Sequence, residues 1–183
     1  MKTLVVYSSL TGNTEKVALA VAETIYGAEA FPIEKAPDPS EYSLIIIGFW
    51  VDRGQADRKT QDYIERVKDK PVAFFFTLGA FPDSEHAGEV ARVTADLLSQ
   101  GNNEILGSFR SQGKVDPALI KRMKESLPPG HPHATMSEER KARLAEAAKH
   151  PNEEDLMKAK AFAADTYQKA LAGPPKAPIG RGR

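Results

Sequence analysis

The sequence predicts a doubly wound α/β protein built on a five-stranded parallel sheet. Three observations carry this. Strand-like and helix-like segments alternate from residue 2 to residue 109, and such alternation implies parallel strands joined by right-handed helical crossovers. Two of the strand-like runs, 44–48 (LIIIG) and 71–77 (PVAFFFT), are apolar on consecutive positions, the pattern of a strand covered on both faces. A Ser/Thr/Gly turn separates the first strand from the first helix, the place where an open α/β sheet binds its ligand.

Taken in order, residues 2–7 form a β-branched and aromatic strand. Val17, Leu19, Ala20, Val21, Ala22 and Ile25 then give a helical apolar stripe, with Gly27 as its stop. A weak strand spans 29–34, and Pro37-Asp38-Pro39-Ser40 marks a loop. After the 44–48 strand, residues 55–68 read as helix; after 71–77, a helix runs from about Ser84 to Gln100, and 104–109 make the fifth strand. Beyond Arg110 the character changes. Residues 116–127 form a short amphipathic helix, 128–133 (PPGHPH) break it, Ser137 caps a helix to about Lys149, and the last helix runs from Asn152 to about Leu171. Asn152 is a cap, and the acids after it suit the positive end of the helix dipole. The expected organisation is one domain over 1–172, with a helical insert over about 111–150 and a loose tail over 173–183.

Bulk properties narrow the function. A hydrophobic fraction of 41% suits a folded soluble domain, and no run approaches the ~18 apolar residues of a membrane span. The absence of cysteine excludes disulfides, thiolate metal sites and thiol catalysis. With a strand beginning directly after Met1, no secretory signal is expected, and a cytoplasmic location follows as the expectation. Net charge is zero, divided as −5 over residues 1–112 and +5 over 113–183, too weak on either side to argue for nucleic acid.

The turn Ser9-Leu10-Thr11-Gly12-Asn13-Thr14 has the chemistry of a phosphate loop. Gly12 lets the backbone approach a ligand closely. Hydroxyls of Ser9, Thr11 and Thr14 can donate to phosphate oxygens, as can the free amides at the helix start. The Gly-Lys-Ser/Thr of a nucleoside-triphosphate loop is absent, as are the three glycines of a dinucleotide loop. The set suits a terminal monophosphate. The stretch VVYSSLTGNTEKVA, with the pattern Ser9-x-Thr11-Gly12-x-Thr14, resembles the first strand, loop and helix of the flavodoxin family. The resemblance covers residues 1–110 and the helix at 152–171. It implies a sheet order of 2-1-3-4-5 and flavin mononucleotide (FMN) as cofactor.

It further implies that loops after the third and fourth strands hold the flavin ring. Here these contain Gly48, Phe49, Trp50, Val51, Arg53 and Gly54, and Thr77, Leu78, Gly79, Ala80 and Phe81. Trp50, the only tryptophan, is placed to stack on one face, with ordinary core packing as the alternative. Phe81 is a candidate for the other face or a packing residue. Amides of 78–80 can bond the pyrimidine end of the ring. Arg53 near the ring would favour negative charge on it and raise its potential; it equally suits a substrate anion, a partner or plain solvation.

No Ser/His/Asp signature or Gly-x-Ser-x-Gly elbow is present. His131 and His133 lack a third metal ligand, and His86 and His150 have no partner legible in sequence. The basic residues of the insert (Lys121, Arg122, Lys124, Arg140, Lys141, Arg143) read as a partner-docking face or as solvated helix. Three functions are compatible: an FMN electron carrier serving a partner reductase or electron donor, a nicotinamide-dependent flavin or quinone reductase, and an interaction module of a larger reductase complex.

Overall fold

A computed structural model describes residues 1–126 and 137–173. The expected 128–133 break, with His131 and His133, and the tail from 174 onward lie outside the described residues. Strands β1 (Thr3–Tyr7), β2 (Glu29–Pro32), β3 (Leu44–Asp52), β5 (Pro71–Leu78) and β6 (Glu104–Gln112) pair in parallel in the order β2-β1-β3-β5-β6. Counting parallel strands alone, that is the 2-1-3-4-5 order implied by the resemblance. A two-residue strand, β4 (Gln55–Ala56), pairs back on β3 in antiparallel fashion.

Helices cover both faces, which is why the strands are apolar throughout. Ile45, Ile47, Phe49, Phe74, Phe76 and Leu78 point to the side of α2 (Arg58–Ile64) and α3 (Glu85–Ser99). Val5, Tyr7, Leu44, Ile46 and Phe75 point to α1 (Asn13–Thr24) and α6 (Glu153–Ala172). Alternation along an extended chain sends neighbouring residues to opposite faces, and here both are core. The small buried residues Ala159 and Ala163 let α6 lie close on the sheet and on α1. Gly48 is required by packing: a Cβ there would sit 2.1 Å from Phe75 Cζ.

Two expectations are corrected. Residues 55–68 are not one helix. Arg53 and Gly54 take positive φ (51° and 84°) and form a tight hairpin turn, so Gln55 and Ala56 return alongside Asp52 and Val51. Helix α2 begins only after Asp57, whose carboxylate accepts from Thr60 N. The last strand runs three residues beyond 109, to Gln112, with a bulge opposite Val72/Ala73 where Gly107 has a φ of 155°. The insert contributes α4 (Pro117–Ser126) and α5 (Glu138–Ala147).

Candidate functional site: a cleft at the carboxyl ends of the strands

The 9–14 turn lies between β1 and α1. Gly12 caps α1 in the left-handed region at φ 85° with no side-chain acceptor for the first-turn amides. Helices α2, α3, α5 and α6 each have one, from Asp57, Ser84, Ser137 and Asn152. Free amides at a helix start, reinforced by the helix dipole, form an anion site. A Cβ on Gly12 would meet nothing within 4 Å, so conformation rather than space selects glycine there.

The loop is braced from below. Ser8 Oγ donates to Asp57 Oδ1 at 2.9 Å, and Thr60 Oγ1 donates to Asp57 Oδ2 at 2.7 Å. Asp57 is 4% exposed, and its buried carboxylate oxygens are met by hydroxyl and amide donors. Ser9 Oγ accepts from Gly12 N at 3.1 Å. The Thr14 hydroxyl is buried and shares a 2.8 Å hydrogen bond with Thr77 Oγ1, tying α1 to the end of β5. Thr14 thus presents its backbone amide at the helix start, with its hydroxyl paired to Thr77. Tyr7 OH donates to Glu15 Oε1 at 2.9 Å; burial, then this contact, pushes the phenol up to about 12.

A cleft opens above the loop. Leu10, Thr11, Asn13, Trp50, Val51, Thr77, Leu78 and Gly79 line it, eight of the residues that the sequence put at the site. Trp50 is half-buried at the end of β3, paired with Thr77. Five expected residues lie elsewhere. Phe49 is fully buried on the α2/α3 face, stacked on Phe76 and Phe74 at centroid distances of 5.3 and 6.4 Å, so its ring is core. Arg53, exposed, and Gly54 form the hairpin tip outside the cleft lining. Phe81 lines a neighbouring pocket together with Ala80.

The remaining wall was not anticipated. Gly113, Lys114, Val115, Asp116 and Leu119 close the cleft opposite Trp50's strand. Gly113 N donates to Leu78 O at 2.9 Å. Asn13 Nδ2 donates to Lys114 O at 2.9 Å and to Thr11 Oγ1 at 3.0 Å, stitching phosphate loop to wall. Val115 packs so tightly on Gly79 that a Cβ on the latter would lie 2.3 Å from Val115 Cγ2. A glycine directly after a strand whose carboxyl end faces the phosphate loop was the available signal. His150 also has partners: Nδ1 lies 2.5 Å from Asp155 Oδ2 and Nε2 3.4 Å from Glu146 Oε1. The Asp155 contact raises its pKa, against a smaller opposing effect of burial.

A family model for the flavodoxin domain matches residues 4–164. The chain belongs to the flavodoxin family. It is 31% identical over 177 residues to a flavodoxin-like domain-containing protein named BilS from Clostridioides difficile (strain CD3), an alignment spanning 93% of this chain and 98% of that one. Its fold resembles that of a flavodoxin from the domain Archaea, with a TM-score of 0.57 and 16% identity over 93% of this chain and 99% of the other. It also resembles a flavoprotein from Lactobacillus acidophilus NCFM solved in complex with FMN, with a TM-score of 0.50 and 18% identity over 66% and 97%. Among the described residues, no helix is long and apolar enough to cross a membrane, and no group of three or more His, Asp or Glu side chains is arranged to hold a metal.

The donor set fits a flavin nucleotide. The amides of Asn13 and Thr14, with Thr11 Oγ1, suit the phosphate, and Trp50 and the 77–79 strand end line the same cleft as Thr11 and Asn13.

Proposed function

We propose that the cleft binds FMN and that the chain passes electrons between this flavin and a redox partner protein. The observation that carries the reading is the amino end of α1. It is left without a side-chain cap at the mouth of a cleft whose other rim bears the one tryptophan. The FMN carried by the Lactobacillus acidophilus flavoprotein supports it. Bound flavin supplies one- and two-electron redox chemistry. The chain's part is to hold it: the α1 amides take the phosphate, Trp50 covers one ring face, and the backbone of 78–80 meets the pyrimidine edge. Asp57 and Asn13 fix the loop and the wall. No side chain is required as acid or base.

The test is direct. The purified chain should carry flavin absorbance, and FMN added to stripped protein should quench Trp50 fluorescence with one-to-one stoichiometry. A colourless protein that leaves Trp50 unquenched refutes the proposal. Rapid oxidation of NAD(P)H by the pure chain, without a partner, would instead make it a reductase in its own right.

A further inference from the structure

The phosphate loop and the wall opposite it are joined at Lys114. Its carbonyl accepts from Asn13 Nδ2 at 2.9 Å, and its amide donates to His150 O at 3.2 Å. Gly113, just before it, has no room for a side chain: a Cβ there would lie 2.9 Å from Asn13 Nδ2. Gly113 N also donates to Leu78 O at 2.9 Å. The main chain at 113–114 is therefore fixed to α1, to β5 and to the turn before α6. Asn13 is the first residue of α1, so these bonds hold Lys114 beside the helix start that lacks a side-chain cap.

The charges in this region are few. The Ser9–Thr14 turn contains no lysine or arginine. Of the described residues that line the cleft, only Lys114 and Asp116 carry a charge. Asp116 is engaged at the start of α4, where its Oδ1 accepts from Ala118 N at 2.8 Å. Lys114 is exposed, and no carboxylate among the described residues lies within ion-pair distance of it. Glu15, in the first turn of α1, adds a negative charge near the helix start. A phosphate monoester brings about −1.5 to −2 charges at neutral pH. A helix start offsets about half a charge. The remainder calls for a cation, and Lys114 is the one among the described residues that line the cleft. An ammonium on a flexible four-carbon stem pairs with phosphate as a point charge.

We propose that Lys114 is a specificity-determining residue of this cleft: its ammonium pairs with the phosphate of the bound nucleotide, so the chain selects phosphorylated over unphosphorylated flavin through a residue at the root of the insert. The phosphate is favoured over the ring as its partner because the bond from Asn13 joins Lys114 to the helix start, whereas the next residue, Val115, meets the end of β5 at Gly79. The inference rests on the FMN reading for the identity of the nucleotide, and it adds which side chain reads the phosphate.

The experiment titrates the stripped full chain with FMN, riboflavin and inorganic phosphate. Trp50 fluorescence reads flavin binding, and the phosphorus NMR linewidth reads phosphate binding. Lys114→Gln should weaken FMN by about ten- to thirtyfold, the lower part of the range for a charge-assisted hydrogen bond because the residue is exposed. Riboflavin should stay within about twofold, which also reports that the variant folds. Lys114→Arg should keep most of the FMN affinity. Added salt should weaken FMN more steeply in the wild type than in Lys114→Gln. Lys16→Gln, which removes the one cation of α1, should cost less than Lys114→Gln. Broadening of the phosphate line by the wild type should be lost in Lys114→Gln. The proposal is overturned if Lys114→Gln leaves FMN within about twofold, if riboflavin weakens as much as FMN, if the phosphate line stays broad in Lys114→Gln, or if Lys16→Gln costs more. Flavin binding that ignores Lys114 refutes this inference and leaves the FMN reading standing. A chain that holds phosphate through Lys114 but takes up neither flavin refutes the FMN reading and leaves the phosphate role of Lys114 standing.

Discussion

Replacing Gly12 with alanine separates conformation from contact at the phosphate loop. Gly12 sits at φ 85°, and a Cβ there would meet no protein atom within 4 Å. The cost is therefore backbone strain alone, about 1–2 kcal/mol for a non-glycine residue in the left-handed region. Alanine also narrows the unfolded ensemble, which offsets about 0.4–1 kcal/mol. If the free loop retains its shape, the flavin-free chain should lose about 0.5–1.5 kcal/mol of stability while the FMN Kd barely moves. If the free loop relaxes, stability hardly changes and FMN binding weakens about 5- to 30-fold, because binding must restore the strained turn. The two losses trade against each other, so both must be measured: urea unfolding of stripped protein, and FMN titration by Trp50 quenching. Wild-type stability together with a Kd within about twofold would refute the argument. A loss of affinity beyond about a hundredfold would show instead that the ligand itself lies against the Gly12 Cα.

Asp57→Asn should destabilise the chain by about 1–3 kcal/mol, because one carboxylate oxygen that accepts a hydroxyl becomes a donor at depth. Its effect on FMN affinity should follow the loosening of Ser8, and unchanged unfolding would remove Asp57 as the brace. His150 governs a pH dependence. Its pKa is raised in the folded state by Asp155, so its contribution is fully present below the usual value near 6.5 and is lost as pH rises through the folded value. Urea midpoints should therefore fall across that interval in the wild type, and this component should vanish in His150→Gln; identical pH profiles would show that the contact carries no net stabilisation.

The sheet was legible because its signals are local or periodic. Continuous apolar runs revealed the doubly covered strands β3 and β5, and the position of Gly12 after β1 revealed the loop. Asn152 with Asp155 announced α6, where each side chain bonds the other's backbone. The errors share a cause in long-range pairing. Nothing in the period of residues 55–68 shows that Gln55 and Ala56 fold back on β3, since the turn uses Arg53 in a left-handed conformation that usually falls to Asn or Gly. Phe49 reads as a ring beside a cofactor because it neighbours Trp50; strand alternation sends the two to opposite faces. The 113–119 wall depends on contacts such as Asn13 with Lys114, one hundred and one residues apart in the chain, and no window on the sequence holds both partners.

One contact in that wall bears on how such a chain can diversify. Lys114 N donates to His150 O at 3.2 Å, so the insert leaves and rejoins the body at one point. It is a handle: its two roots are fastened together, and whatever lies between them hangs outside the sheet's connectivity. Helices α4 and α5 can lengthen, shorten or change their chemistry without shifting β6 against α6, because the roots stay joined. The cleft takes Gly113, Lys114, Val115, Asp116 and Leu119 from the near root, and none of its lining comes from α5. The wall of the cleft and helix α5 are thereby parts of the chain that can vary separately.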